Sequence, residues 1–537
     1  MFTIVLIACN ISAQPVYEHV SHSGIYDFLD ELANTGVIEI NSAVKPYTRA
    51  YIRGKLELAD DQKGLLNKRQ QEQLIFYSRA FNTFDSNAKY GVNLHNGSFY
   101  CQQYPFTLEV RPILGVSVLG DIAGGSGSGI QSLNRHNGLE TWGMLRNQWS
   151  FYASLRDNWS SSAMVRPGYI SEETGGVYKE GSDGSVEFSE MRAGINYMNR
   201  WMTIGLVKDH FEWGNNYHGA NIFTDHTPSF VQLKLRLRPA KWLEFNYFHA
   251  WLNSEVIDSA KTFSYTNAYG TRNRYVYREK FLAANLITFK PWKSTHISFG
   301  NSIVYADIGL HPAYLIPFVF FKSIDHTLNG TSNRAGQNAQ MFMDISTRVL
   351  PKTHLYATLF VDEIATTRMF KPDEQSNYLS FKTGFRISNF PAENIHLTGE
   401  YTRTNPLTYQ HFTPTTTFES NHYNMGHYLR DNAEETWVSL RFEPVSRLRT
   451  EASFSYARKG PDYNNLGGNR TGLPFISEER WRRSECTISA EYQIFYNAIA
   501  KLSYRYSNIS GADAPEYHPD YLAGLRHLIA AELRIGL

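Results

Sequence analysis

Three cysteines in 537 residues are too few for a disulfide framework. Cys101 and Cys486 lie far apart, and no Cys-x-x-Cys or Cys/His cluster offers metal-ligand spacing, so neither a metal nor a cofactor is expected. No sign of charge dominates: 52 Lys+Arg against 51 Asp+Glu leave +1, which excludes the basic field of a nucleic-acid binder. Charged residues make up only 19%, below the roughly 25% of soluble domains. Past the N-terminus no apolar run approaches the roughly 18 residues of a membrane-spanning helix. The richest stretch, Tyr314–Phe321, is short and carries Pro317. With a mean hydropathy of −0.39, this excludes a bundle of membrane helices. Disorder is excluded by 42% hydrophobic content. Aromatic residues are abundant, with 34 Tyr, 33 Phe and 10 Trp. Hydrophilic on average, aromatic and poor in charge, the chain suits a large β-structure, including one that crosses a membrane as a barrel.

Residues 2–8, Phe-Thr-Ile-Val-Leu-Ile-Ala, followed by Ile11-Ser-Ala-Gln14, have the form of a secretory leader, so 1–14 is expected to be a signal peptide. Leu6-Ile-Ala-Cys9 also fits a lipoprotein cleavage pattern. Residues 16–86 then read as helical. Ile25, Phe28, Leu29 and Leu32 recur on one helical face, and Gly36 is placed to stop that helix. Thr48 can cap a second helix bearing Ile52 and Leu56, and 62–82 reads as a third. This is expected to be a small periplasmic domain that supports folding or docks a periplasmic partner.

From about residue 105 the period becomes two. Val231, Leu233, Leu235 and Leu237 alternate with Gln232, Lys234, Arg236 and Arg238. Leu448–Tyr456 repeats this, with Arg449, Glu451, Ser453 and Ser455 on one side. So do 341–349, 498–506 and 529–537. Period two separates these sets onto opposite faces of a sheet.

The turns distinguish a barrel from a soluble sandwich. Short turns recur at Pro239-Ala240, Pro291-Trp-Lys, Pro351-Lys-Thr, Asn389-Phe-Pro391, Pro444-Val-Ser and Tyr496-Asn497. Between neighbouring turns lie two strand-like segments and one long polar loop, the pattern of an outer-membrane barrel. Six turns give twelve strands and 526–537 a thirteenth. Five more are read at 106–119, 142–155, 160–170, 188–197 and 200–207, for a total of eighteen. The expected fold is therefore an all-β transmembrane barrel over 105–537 behind the helical unit, facing outer-membrane lipid. In lipid an unpaired N–H or C=O costs several kcal/mol, so such a sheet must close on itself. Its lumen would carry charges of both signs, able to line a channel or knit into a plug.

Several segments resemble the Wzi-type capsule assembly family, including its Bacteroidota members. They are Gly205-Leu-Val-Lys-Asp-His-Phe-Glu-Trp-Gly214, Thr224-Asp-His-Thr-Pro-Ser-Phe230, Leu355-Tyr-Ala-Thr-Leu-Phe-Val-Asp-Glu363, Glu400-Tyr-Thr-Arg-Thr-Asn-Pro-Leu-Thr-Tyr409 and Asn424-Met-Gly-His-Tyr-Leu429. Tyr26-Asp-Phe-Leu-Asp-Glu-Leu32 and Val44-Lys-Pro-Tyr47 resemble the family's helical front end. The chain departs from the family with Asn215-Asn216 after Trp213-Gly214 and with His226-Thr227. The resemblance implies an eighteen-stranded barrel with a periplasmic helical bundle. It also implies a lectin that retains capsular or extracellular polysaccharide at the cell surface.

Sugar binding needs aromatic faces beside paired donors and acceptors. The loops 208–228, 405–432 and 459–482 carry both. Trp213, Asn215, Tyr217 and Asp225 in the first, and Asn405, Tyr409 and His411 in the second, are the candidate polysaccharide-binding residues; for any single one, loop packing or interface girdle is the commoner role. No catalytic residue is assigned. Asp362-Glu363 point to opposite faces of a strand, which is poor geometry for an acid/base pair. His411 and His427 lack a Gly-x-Ser-x-Gly nucleophile turn. The glycine-rich stretch 123–129 does not lead from a strand into a helix. A porin-like channel for small solutes is the alternative function, and an outer-membrane hydrolase the third.

Overall fold

The structure is a computed structural model that describes residues 16–81, 89–122, 129–146, 148–330, 336–364, 371, 377–464 and 472–536. The expected leader with Cys9 and all but the last residue of the stretch 123–129 lie outside the described residues.

Eighteen antiparallel strands close into one barrel. They are β1 (Phe106–Asp121), β2 (Gly129–Leu145), β3 (Trp149–Ser160), β4 (Val186–Met198), β5 (Met202–Asp209) and β6 (Phe230–Ala240). Next come β7 (Leu243–Ile257), β8 (Tyr277–Trp292), β9 (Thr295–Ala306), β10 (Asn338–Thr347), β11 (Thr353–Glu363) and β12 (Tyr378–Ser388). The last are β13 (Ile395–Thr404), β14 (Ala433–Val445), β15 (Leu448–Lys459), β16 (Trp481–Phe495), β17 (Ala498–Ser510) and β18 (Gly524–Ile535). Closure sets Leu528 of β18 opposite Asp121 of β1 and Ile535 opposite Leu114, so the sheet has no lipid-facing edge along this seam. A hairpin of Tyr90–Asn93 and Ser98–Gln103 continues the sheet along the start of β1. Short turns gather at one end of the barrel and long connections at the other.

The expected total of eighteen stands, but two strands were misplaced. Residues 142–155 are not one strand: β2 ends and β3 begins there, around Arg146 in a left-handed conformation (φ 52°). Residues 160–170 form no strand beyond Ser160; Ala163, Val165 and Ile170 bury themselves as loop packing. The missed strand, β2, carries exposed Arg135 and Asn137 among its outward positions, which breaks the apolar alternation that marks its neighbours.

The helices are α1 (Ser23–Asn34), α2 (Arg49–Asp60) and α3 (Lys68–Phe81). Ile25, Phe28, Leu29 and Leu32 of α1 are all buried, Gly36 follows with φ +80°, and Thr48 accepts a hydrogen bond from the Tyr51 N–H at the start of α2. The three helices share one apolar core, and Tyr496 from the β16–β17 turn joins it. The helical unit therefore closes its core against the short-turn mouth of the barrel rather than standing apart from it.

Ion pairs fix this docking. Asp27 of α1 faces three wall arginines: Arg386 at 2.7 Å, Arg441, and Arg449 at 3.5 Å. Burial would raise the Asp27 carboxyl, but these arginines outweigh it and hold the group well below the usual carboxylate range. Arg348 of the β10–β11 turn reaches Asp30 at 2.7 Å and Asn34 at 2.8 Å. Arg69 of α3 bridges Glu31 and Glu443, the latter at 2.6 Å.

Most strands alternate as expected, with Leu502, Tyr506, Ile529 and Leu533 outward and exposed. The sector β7–β11 differs. Its inward residues Phe248, Leu282, Leu286, Val304 and Phe342 are apolar and form a core with Trp213 and Phe223 of the β5–β6 loop. Its outward residues are covered in turn by the β9–β10 connection, whose Tyr314 and Phe321 pack on Tyr247, Phe281, Ile303 and Tyr305.

Candidate functional site

The β5–β6 loop, 210–229, crosses the lumen. Its near end pairs with the N-terminal segment, Trp213 opposite Val44 and Glu212 opposite Lys45. Trp213 is buried among aromatic rings, with Phe248 at 5.1 Å and Phe223 at 5.4 Å between centroids. Beyond it the backbone turns towards the opposite wall. Asn215 bonds Asp344 of β10, the Tyr217 N–H donates to Glu400 of β13 at 2.6 Å, and His218 reaches Glu435 of β14 at 3.2 Å. A loop rich in Asn, Tyr and His suits this path, because each crossing point needs a side chain or an amide that a wall carboxylate can take.

Below this loop lies a polar cavity of about 380 Å³. Its floor is α1, through Ser23, Asp27 and Asp30; its roof includes Tyr217, His218 and Glu172; and its wall carries Arg441, Glu451, Lys501 and Arg505. A second cavity of about 550 Å³ adjoins it and shares Glu172, Lys501, Ser503 and Arg505. Both charge signs line this space. At its upper edge Glu435 accepts hydrogen bonds from Tyr428 at 2.5 Å and Ser455 at 2.7 Å, and Arg483 lies at 3.2 Å. His218 stacks on Trp437 with centroids 4.7 Å apart and planes within 4°. Burial opposes its charge, yet Glu172 and Glu435 raise its pKa to about 9. Asp225 is also shifted upwards: burial, and then Glu212, push it up to about 7.

A hairpin of Phe263–Asn267 and Gly270–Arg274 projects from the loop end of the barrel. Period two divides it into two faces. Phe263 and Tyr265 lie opposite Arg274 and Arg272 on one, while Ser264 and Thr266 lie opposite Asn273 and Thr271 on the other. Tyr269 at its tip is 84% exposed and Tyr275 at its base 55%. Exposed tyrosines beside arginines offer flat C–H-binding faces next to fork-shaped donors, the equipment of a sugar site. The sequence reading missed this element. The alternation of Phe263, Tyr265 and Asn267 ahead of Tyr269-Gly270 was the signal for it.

The structure separates the seven candidate residues. Tyr217 alone among them lines the first cavity, with its hydroxyl 2.8 Å from His354 Nδ1 and the Arg386 guanidinium 4.8 Å over its ring. Trp213 and Asn215 anchor the crossing loop. Tyr409 is buried and donates to the Asn221 carbonyl at 2.8 Å. The Asn405 side chain donates to the Asn377 carbonyl of the β11–β12 connection at 2.9 Å and so ties two connections together, while His411 Nδ1 meets the Thr416 hydroxyl at 2.7 Å and braces its own loop. Asp225 is half-buried in the crossing loop. The two departures from the family pattern carry structure here: Asn215 holds Asp344, and His226 Nδ1 meets the Glu173 carbonyl at 2.6 Å.

Among the described residues, two clusters have the residue types of metal ligands. In the first, His19 Nε2 lies 3.1 Å from His210 Nδ1 beside Asp209, but Asp209 accepts from Tyr152 at 2.6 Å and faces Arg192 at 3.4 Å. In the second, Arg69 already bridges the carboxylates of Glu31 and Glu443 beside His396. Asp362 accepts from Gln340 at 3.2 Å, and His427 is fully buried.

No protein-family model and no curated protein sequence matches the chain. Among solved structures it is similar to Wzi of Escherichia coli, described as an outer-membrane protein involved in group 1 capsule assembly and a carbohydrate-binding β-barrel. The TM-score is 0.57 at 11% identity, over 95% of this chain and 98% of that one. Two further matches are OccAB2 of Acinetobacter baumannii and OpdK of Pseudomonas aeruginosa, solved with vanillate. Both have a TM-score of 0.42, with 6% and 7% identity. They cover 79% and 80% of this chain and 97% and 98% of their own. The first likeness establishes the fold, that of a closed β-barrel with short N-terminal helices.

Proposed function

We propose that this barrel lies in the outer membrane and binds a capsular or extracellular polysaccharide at its loop end, retaining it at the cell surface without chemical change. The short turns and helical unit then face the periplasm, and the long connections face outward. The observation that carries the reading is the projecting hairpin, whose Tyr265, Arg272, Tyr269 and Tyr275 stay exposed beyond the barrel rim. An extended polymer can lie across such a ridge, which a lumen side chain could not offer it.

The lumen itself speaks against a solute channel. Helices α1–α3 dock at one mouth, and the crossing loop spans the interior from β5–β6 to β10–β14. What is left is a pair of adjoining cavities, lined by charged residues such as the paired Arg441 and Glu451. The serine–carboxylate pair at their edge, Ser455 and Glu435, is taken up by Tyr428 and Arg483, and the reading assigns no catalytic step.

The test has two arms. Purified protein is titrated with capsular polysaccharide from its own producing cells and, separately, inserted in planar bilayers. Saturable binding with little ohmic current supports the proposal. A large steady conductance without polysaccharide binding would make it a channel. In cells, deletion should release capsule into the medium while its synthesis continues.

A further inference from the structure

The β9–β10 connection does not project from the rim like the hairpin between β7 and β8. It folds back over the outward face of the wall as a strap. Phe318 of the strap stacks on outward-facing Phe245 at 4.4 Å. Two outward asparagines, Asn285 of β8 and Asn301 of β9, are register partners near the middle of their strands. They clip the strap in place. Asn285 donates to the carbonyls of Pro317 and Val319, each at 2.9 Å; Asn301 accepts from the Phe321 N–H at 2.9 Å and donates to Asn285 at 2.7 Å. Irregular backbone at this depth is tolerated only where its polar groups find protein partners, and these asparagines supply them.

Beside the strap runs a groove of about 630 Å³. Phe318 and Phe320 form one bank, and Phe299, Met341, Met343 and Leu359 form the bed. We infer that this groove is a specific site for one acyl chain of an anionic phospholipid from the turn-side leaflet. The inference rests on the outer-membrane reading and goes beyond it.

Height and charge select that occupant. Phe299 stands four residues into β9 and Val361 eight into β11, roughly 10 to 20 Å above the turns for tilted strands. The groove thus occupies the turn-side half and the middle of an apolar belt about 25 Å tall. The medium at that height is hydrocarbon. The turns directly below it, joining β8 to β9 and β10 to β11, carry exposed Lys293 and Lys352. Each offers an ammonium to a phosphate at headgroup level, while Lys352 Nζ also reaches the Asn389 carbonyl at 3.5 Å and Lys293 also faces Glu39.

The experiment uses the full chain in mild detergent, dioleoylphosphatidylglycerol as probe, and native mass spectrometry. Wild type should keep one phospholipid after delipidation. Filling the bed with Met343→Trp and Leu359→Trp should lower retention about tenfold. Lys293→Gln with Lys352→Gln should abolish the preference for phosphatidylglycerol over phosphatidylcholine. The lysine pair is exposed and outside the packing, so it reads the site even where the tryptophan pair fails to fold. Equal retention by wild type and both variants, or displacement of the probe by lipopolysaccharide, overturns the inference. Failure of the outer-membrane reading is distinguishable: the chain would then remain monodisperse without detergent.

Discussion

Asn215 grips Asp344 twice, through its backbone N–H at 2.8 Å and its side-chain amide at 2.6 Å, and so ties the crossing loop to the far wall of the barrel. Both residues are buried, so neither bond is exchanged with water at little cost. Asn215→Ala removes the amide and leaves a carboxylate short of a donor. We expect a loss of about 1–3 kcal/mol, localised to the loop. Hydrogen exchange over 212–222 should rise while the strands stay protected; unchanged exchange would refute the anchor.

Asp27 is the latch of the helical unit. Asp27→Asn takes the shared carboxylate from Arg386, Arg441 and Arg449, of which Arg441 keeps Glu451 and Arg449 keeps Glu491. Breaking a buried charge cluster costs about 3–5 kcal/mol. The barrel should still form, but α1 should become protease-sensitive and bilayer conductance should rise. A variant with a silent lumen and intact α1 would show that the Arg348 and Arg69 ion pairs and the apolar contacts of Tyr496 hold the unit without Asp27.

His218 gives the crossing loop a pH dependence. Its folded pKa, about 9, lies above its unfolded value. Its contribution is therefore fully present below about pH 6.5 and is lost as pH rises through 9. Loop protection should fall between pH 7 and 10, and His218→Gln should flatten that profile. Asp225, raised to about 7, acts in the same direction at lower pH, between its unfolded value near 4 and about 7.

Tyr265→Ala with Tyr269→Ala strips the projecting hairpin of two exposed rings. Each ring is worth about 1 kcal/mol, so polysaccharide affinity should drop about tenfold or more while thermal stability is unchanged. Calorimetric titration checks it. Equal affinity would move the glycan site away from the hairpin.

Asn285→Leu keeps the outward face apolar but orphans the strap carbonyl of Pro317 and leaves that of Val319 with a 3.4 Å bond from Asn301. We expect about 1–3 kcal/mol lost and the strap released from the wall. Limited proteolysis should then cut within 308–329, where the wild type resists.

The sequence by itself determined the barrel. Period-two alternation and short turns at regular spacing are local signals, and lipid forces a sheet so patterned to close. Ile25, Phe28, Leu29 and Leu32 marked α1 in the same way, since one helical face and one strand face are each written along the chain. What only the tertiary structure decided is which polar residues meet across the lumen. Trp213, Asn215 and Tyr409 have the composition of a sugar site, yet distant partners bury them: Phe248, Asp344 and Asn221. The strap was hidden for the same reason. Tyr314–Phe321 reads as a short apolar run, and only the outward Asn285 and Asn301, set side by side by strand register, give it a place on the wall. Pairing between residues hundreds of positions apart depends on closure of the whole barrel, and no local period encodes it.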